Sequence, residues 1–372
     1  MEMKQEMLAG TEVFKLAPGD IDHLFRRSGL NGNNLSPFRY NSGQAATSTP
    51  SEWFKVLSES PWLNQVARRL LEPDIKIIFN NGGGVAADDK YYVFLSTDDR
   101  AVLAQFINSE QDILLLLFPD WESFLDWWSG VYTSEGTGGY QTVFPNILET
   151  EVLICALHCI DIYHRGYLES MLEYRAGLDL SITRQDFVQL LKRSLVSGDK
   201  RWLLPTMFEI TPGLKSTSIS LTPEHLKQLE ELGFITSNEE IITLAERTRL
   251  MGTEFITSWM GAISLLATAI INGEERNLSR VFLAPTAFTN HLVSFEVGTE
   301  GKSRFRHQAS TAPELTKTLV KWMEALQSVA GIVPAQAAII ADSNEQAGVC
   351  GKCGSEIRPG KKFCTSCGTA IQ

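Results

Sequence analysis

The chain has 372 residues, 44% of them hydrophobic and 21% charged, with 8 tryptophans and a formal net charge of −11. That is enough apolar mass for two core-bearing domains, and the acidic balance disfavours nonspecific nucleic-acid binding, because the phosphate backbone rewards a basic face. The longest apolar stretches, Ile113 to Pro119 and Ala262 to Ile271, fall well short of the roughly 20 residues of a membrane span, and Met1 to Ala9 carries Glu2, Lys4, Gln5 and Glu6 where an export signal would be apolar. These features lead us to expect a cytoplasmic protein with no membrane span.

In chain order, a short helix is expected around Gly19 to Arg27, then a flexible polar connector from Leu30 to Thr49. Thr49-Pro50-Ser51-Glu52 reads as a capping box with Pro at the first helical position, and Trp53 and Leu57 follow at helical spacing. Asn80-Asn81-Gly82-Gly83-Gly84 has the look of a phosphate loop, but no Gly-Lys-Ser/Thr follows and Asp88 and Asp89 would repel phosphate. A hairpin loop is expected there.

Tyr91 to Leu95, Val102 to Ile107 and Ile113 to Phe118 read as consecutive strands, with Asp98 and Asp99 capping a turn. Asp120 then caps a Trp-rich helix to Val131. Trp121, Phe124, Trp127 and Trp128 cover more of this short helix than one sheet surface buries. A large core accounts for them; the competing reading places Trp127 or Trp128 in an exposed patch that anchors a protein partner. Gly136-Thr137-Gly138-Gly139 follows a helix rather than a strand, so it lacks the setting of a dinucleotide site and reads as a linker.

Ile147 to Arg175 is a long, strongly apolar helix, followed by a helix from a Thr183 cap through Val196. Cys155, His158, Cys159 and His164 share helical spacing that would suit a metal, but the two cysteines stand among Val152, Leu153, Ile154, Ala156, Leu157 and Ile160. Core packing is the better reading, because one helix alone supplies poor tetrahedral geometry, and His164 is expected at a polar position beside Arg165. Thr222-Pro223-Glu224-His225 opens a helix as Thr49 does. Arg280 to Ala284, His291 to Val297 and Ser303 to Gln308 then read as strands, before a helix from Pro313 to Val329.

The pattern of helix, strand meander, helix thus occurs twice. It predicts an α+β fold of duplicated halves, each an antiparallel sheet with helices on one face, related by a pseudo-two-fold axis. In outline this alternation resembles the cytosolic chaperones of type VII (ESX) secretion, whose members have a quasi-two-fold α+β core. The resemblance rests on the layout and on Leu221-Thr222-Pro223-Glu224 opening a helix, and that family does not usually end in a zinc ribbon.

The strongest chemical signal comes last. Cys350-Gly351-Lys352-Cys353 and Cys364-Thr365-Ser366-Cys367 place four thiols at the spacing of a structural Zn2+ site, with Gly354 and Gly368 suited to the tight knuckle turns. A redox pair would follow a strand and would not be duplicated, and disulfides need an oxidising compartment. Cys350 to Gly368 closely resembles the short zinc-ribbon family, including Ile357 between the knuckles, Pro359-Gly360 at the turn and Phe363 before the second pair. Lys352, Arg358, Lys361 and Lys362 against Glu356 and the terminal carboxylate leave +2, which a zinc ion with four thiolates cancels. Contact with protein, or simple stabilisation, is therefore favoured over nucleic-acid reading.

The expected organisation is an N-terminal helix and linker (1–48), a first α+β half (49–145), a connecting helical segment (146–220), a second half (221–330), a tether (331–348) and the ribbon (349–372). No Gly-x-Ser-x-Gly elbow, His-x-x-x-His helix or Walker loop occurs, and the six histidines are scattered singly. The function expected is a non-enzymatic adaptor or chaperone for a protein partner, most concretely an exported one. The alternatives are a nucleic-acid-associated regulator using the ribbon, and an enzyme with a site at the junction of the halves.

Overall fold

The computed structural model describes residues 10–40, 49–81, 90–97, 99–107, 112–136, 144–210, 219–256, 261–297, 303–331, 348–349 and 356–357. The first part of the chain forms β1 (Glu12–Leu16), α1 (Asp20–Ser28), α2 (Glu52–Glu59), α3 (Leu63–Leu71), β2 (Ile75–Asn81), β3 (Lys90–Leu95), β4 (Val102–Ile107), β5 (Ile113–Phe118) and α4 (Trp121–Tyr132). After it come β6 (Ile147–Glu149), α5 (Thr150–Leu172), β7 (Ser181–Thr183), α6 (Arg184–Val196), α7 (Leu203–Ile210), α8 (Pro223–Glu231), β8 (Ile235–Ser237), β9 (Ile241–Leu244) and α9 (Glu246–Glu254). The chain closes the fold with β10 (Ile263–Ile271), β11 (Glu274–Pro285), β12 (Asn290–Val297), β13 (Ser303–Ser310) and α10 (Ala312–Gly331).

The fold is α+β. Ten strands form a single antiparallel sheet in the order β1-β5-β4-β3-β2-β10-β11-β12-β13-β6. Outward from the central β2/β10 pair, each side of the sheet is a four-stranded meander, β2 to β5 and β10 to β13, followed in the chain by a helix. The expectation of two separate sheets is corrected here. Ile75↔Ala269 through Asn81↔Ile263 join the two meanders edge to edge, which removes two apolar edges that would otherwise invite aggregation.

Both faces of this sheet are covered, which explains why β5 and β10 read as nearly unbroken apolar runs. In β5, Leu116 and Phe118 face the layer formed by α4 and α10, whereas Ile113, Leu115 and Leu117 face α1, α2 and α3. In β11, Val281 and Leu283 join the α4/α10 layer, while Phe282 and Ala284 face the cluster built by α5 to α9. The repetition lies in the meanders and closing helices; the opposite layers differ, with three helices against the first meander. Five helices and the small β7-β9-β8 sheet cover the second.

The N-terminal segment is part of this body. β1 pairs with β5 from Glu12↔Leu117 to Leu16↔Ile113, and Phe14 and Leu16 are buried. Residues 30–40, expected as a flexible connector, are tied down: Asn33 Nδ2 donates to the Pro73 carbonyl at 2.7 Å and Ser36 Oγ to the Leu70 carbonyl at 2.9 Å. The segment expected to connect the halves packs on the second meander, with β6 pairing with β13 and α5 lining the core beneath it.

Local capping chemistry sets most helix starts. Asp120 accepts from Ser123 N, Thr183 from Asp186 N, and Thr222 forms a reciprocal capping box with His225. One start shifts: Ser51, not Thr49, caps α2 by accepting from Phe54 N, and Asp20 holds Ser51 Oγ at 2.6 Å. Asp99 accepts from Ala101 N and pairs with the buried Arg69, while Asp98 lies outside the described residues, as do Gly82 to Asp89 and Gly138.

Candidate functional site

α5 is 23 residues long, and its two ends have different surroundings. Val152 to Ile160 are buried beneath the sheet, but beyond Tyr163 the helix runs clear of it, leaving Leu168, Met171 and Leu172 exposed. Leu172 is 79% accessible. Against this end lie α6 and the start of α7, and between them opens a groove of about 450 Å3. Ile162, Leu168, Leu172, Leu190, Trp202 and Pro205 give it an apolar lining, with Arg165, Glu169 and Arg193 around them. A second, polar cleft of about 360 Å3 adjoins it, sharing Arg165, Glu169 and Arg193 and adding Arg175, Asp179 and Asp186.

The groove wall is fixed by one buried carboxylate. Asp161 accepts from the backbone N–H groups of Leu203 at 2.8 Å and Leu204 at 2.9 Å, so α5 caps the N-terminus of α7 in trans. Burial pushes its carboxyl up to about 7, against the opposing pull of those two N–H groups. Sequence inspection passes over Asp161, because its partners lie more than 40 residues away; an acid inside an apolar helical run was the available signal.

Close packing of α5 on α9 holds the long helix in place. A Cβ on Gly252 would stand 2.2 Å from the Tyr163 ring, and the Tyr163 hydroxyl is already tied to Thr253 at 3.1 Å. The nearest atoms belong to the root of the ring, so the clash is relieved only by moving α5 against α9. Gly252→Ala should therefore destabilise the protein by about 1–3 kcal/mol, as overpacked cores do. A chemical denaturation curve reads this, and an unchanged midpoint would show that the interface yields freely.

The four residues weighed as a second metal set are core residues. Cys155 and Cys159 are fully buried, and burial first, with Glu151 adding to it, pushes the Cys155 thiol up to about 12. The Cys159 thiol is likewise raised by burial. Both side chains pack in the apolar core cluster beneath the second meander. His158 Nε2 donates to the Phe187 carbonyl at 3.2 Å and His164 Nε2 to the Gly252 carbonyl at 2.7 Å. His164 is buried rather than at a polar position, since its side of α5 meets α9. No group of three or more candidate ligands occurs among the described residues.

A polar chain that no local motif announces lies under β12 and β13. His291 Nε2 donates to Glu254 Oε1 at 2.6 Å, and His307 Nε2 donates to His291 Nδ1 at 2.9 Å, all three side chains being buried. The carboxylate only accepts, which sets the tautomer of each ring in turn. Thr286 Oγ1 also donates to Glu254, and Asn290 ties the loop after α4 to β12 through Ser134. None of these residues lines either groove.

Trp128 is fully buried, and its indole N–H donates to the Tyr91 hydroxyl, so the exposed-anchor reading is corrected for this residue. Trp127 is half-buried among Phe106, Phe118, Phe124 and Tyr132. The aromatic excess on α4 is absorbed because the helix packs on the sheet and on α10 together.

Cys350, Cys353, Cys364 and Cys367 lie outside the described residues; near them, Gly348–Val349 pairs antiparallel with Glu356–Ile357. Residues 349–371 match the zinc-ribbon domain family. The match covers about a sixteenth of the chain and is the segment expected to hold metal. No curated protein matches the chain. No helix among the described residues is long and apolar enough to cross a membrane.

Proposed function

We propose that this protein is a cytoplasmic, non-enzymatic adaptor or chaperone that captures a protein partner in the α5–α6–α7 groove and carries a structural zinc ribbon. The observation that carries the reading is the groove itself: an apolar cleft with exposed Leu168 and Leu172 at its edge, on a chain of net charge −11. The order of the sheet strands is in keeping with the quasi-two-fold core of the type VII secretion chaperones, which supports an exported protein as the partner. The Glu254–His291–His307 chain is enclosed by Phe144 and Phe255 and opens on neither cleft, which favours a structural role over a catalytic one.

A photo-crosslinking residue placed at Leu172 in the native host tests the reading. A discrete protein adduct, lost when Leu168→Asp is added, is expected; adducts that ignore Leu168→Asp would remove the groove as the capture site.

In the ribbon, Cys350, Cys353, Cys364 and Cys367 would hold one Zn2+ as thiolates. Metal binding to isolated zinc-finger peptides is worth about 10–16 kcal/mol, so chelation should unfold this segment. The body, which has its own core, should keep its melting temperature. Elemental analysis and paired melts with and without chelator check both statements; a metal-free ribbon, or a body that melts with it, contradicts them.

A further inference from the structure

The identity of the partner's binding element follows from the walls of the groove, granted the protein-binding reading above. Both long walls of the groove are helices, α5 and α6; the edge strand β7 lines the adjoining polar cleft and not the groove. An extended peptide laid there would find no ladder for its backbone N–H and C=O groups, whereas a helix satisfies its own. The α5 wall runs from His158 to Leu172, about 21 Å at 1.5 Å per residue, or roughly four helical turns.

Charge around the groove is uneven. Arg165 is engaged by Glu169 at 2.7 Å, and the Asp161 carboxylate is committed to the N-terminus of α7. Arg193 is exposed and has no ion-pair or hydrogen-bond partner among the described residues, although it lines both clefts. It stands where the apolar floor gives way to the polar cleft, which is where the hydrophilic flank of an occupant would lie.

We propose that the groove receives an amphipathic helix of a partner protein, about four turns long. This helix seats apolar side chains at i, i+3 or i+4, and i+7 against Leu168, Leu172, Leu190 and Trp202, and sets an Asp or Glu carboxylate against Arg193. The arginine fork selects a carboxylate on one flank, and so fixes the direction in which the helix lies.

A display library of peptides of about 14 residues, with Leu fixed at i, i+3 and i+7 and other positions randomised, is selected against the full chain. Enriched peptides should carry Asp or Glu at one recurrent flank position. Their affinity should fall by roughly tenfold or more with Leu172→Asp and with Arg193→Glu, and Lys at the acidic peptide position should restore binding to Arg193→Glu. Both variants alter exposed side chains, so unchanged melting curves confirm that they are folded.

Peptides that need Leu172 but are indifferent to Arg193→Glu and show no acidic preference overturn this inference while leaving the protein-binding reading intact. Peptides indifferent to Leu172→Asp overturn both. Leu172-dependent sedimentation with vesicles of phosphatidylcholine and phosphatidylglycerol would make the face a lipid surface. A concentration-dependent dimer in light scattering, abolished by Leu172→Asp, would make the occupant a second copy; either result overturns the proposal.

Discussion

Acidification from pH 7 to pH 5 should destabilise the protein by about 4 kcal/mol and lower its melting temperature by on the order of 10 °C, with the helical layer of the second meander opening first. His158 and His164 are each held down to about 4 and His307 to about 3, in every case mainly by burial. The folded state therefore keeps these rings neutral, while the unfolded chain protonates them below about 6.5. Their contribution is fully present above the unfolded value and is lost as pH falls from there toward the folded values. At pH 5 each ring costs about 2 kcal/mol, or about 6 together.

One group works in the opposite sense. Asp161, 3.9 Å from His164, has its carboxyl raised to about 7, so the folded state takes up its proton on the way to pH 5 and recovers about 2 kcal/mol. The net loss is a large share of the ~5–15 kcal/mol that holds a typical protein folded. The layer against the first meander contains only the half-buried His23. Hydrogen exchange at the two pH values, corrected for intrinsic rates, should show α5 to α9 losing protection before α1 to α3. Equal loss in both layers, or a melting temperature that does not move, would refute the assignment.

Trp128→Ala should cost about 3–5 kcal/mol, the range for emptying a large aromatic site in a core. Trp128 packs edge-on to Phe79 at 5.5 Å and stacks with Tyr132 at 6.0 Å, in the layer where α4 and α10 share the sheet. Its indole N–H is a partner of the Tyr91 hydroxyl, whose pKa burial raises well above its ordinary value, so the truncation also strips a donor from a buried polar group. Trp127→Ala, at a half-buried position, should cost less. Urea unfolding of the two variants orders them, and a Trp128→Ala protein as stable as the parent would mean that this aromatic layer collapses around the void.

Signals confined to a few residues were legible in the sequence alone. Thr183, Thr222 and Asp120 cap the helices expected of them, because a cap needs only a side-chain oxygen and the N–H group three residues on. The zinc-ribbon segment was equally plain, since its ligand pairs are set by spacing along one short stretch. The α+β class and three strands of each meander, β3 to β5 and β11 to β13, followed from short runs between turns.

What joins distant segments was decided by tertiary structure. β10 escaped notice because a strand buried on both faces shows no polar alternation, and its pairing with β2 links residues such as Lys76 and Thr268, 192 positions apart. β1 and β6 are too short to announce themselves and exist as strands only because β5 and β13 offer free edges. Whether Trp128 faced solvent depended on β2 and β3 arriving beneath α4, where Phe79 and Tyr91 meet its ring. Leu168 and Leu172 are the converse case: their helical spacing belongs to a buried face, and they are left exposed only because α5 is longer than the core it covers. Periodicity records which residues share a face, while burial of that face depends on what the rest of the chain brings against it.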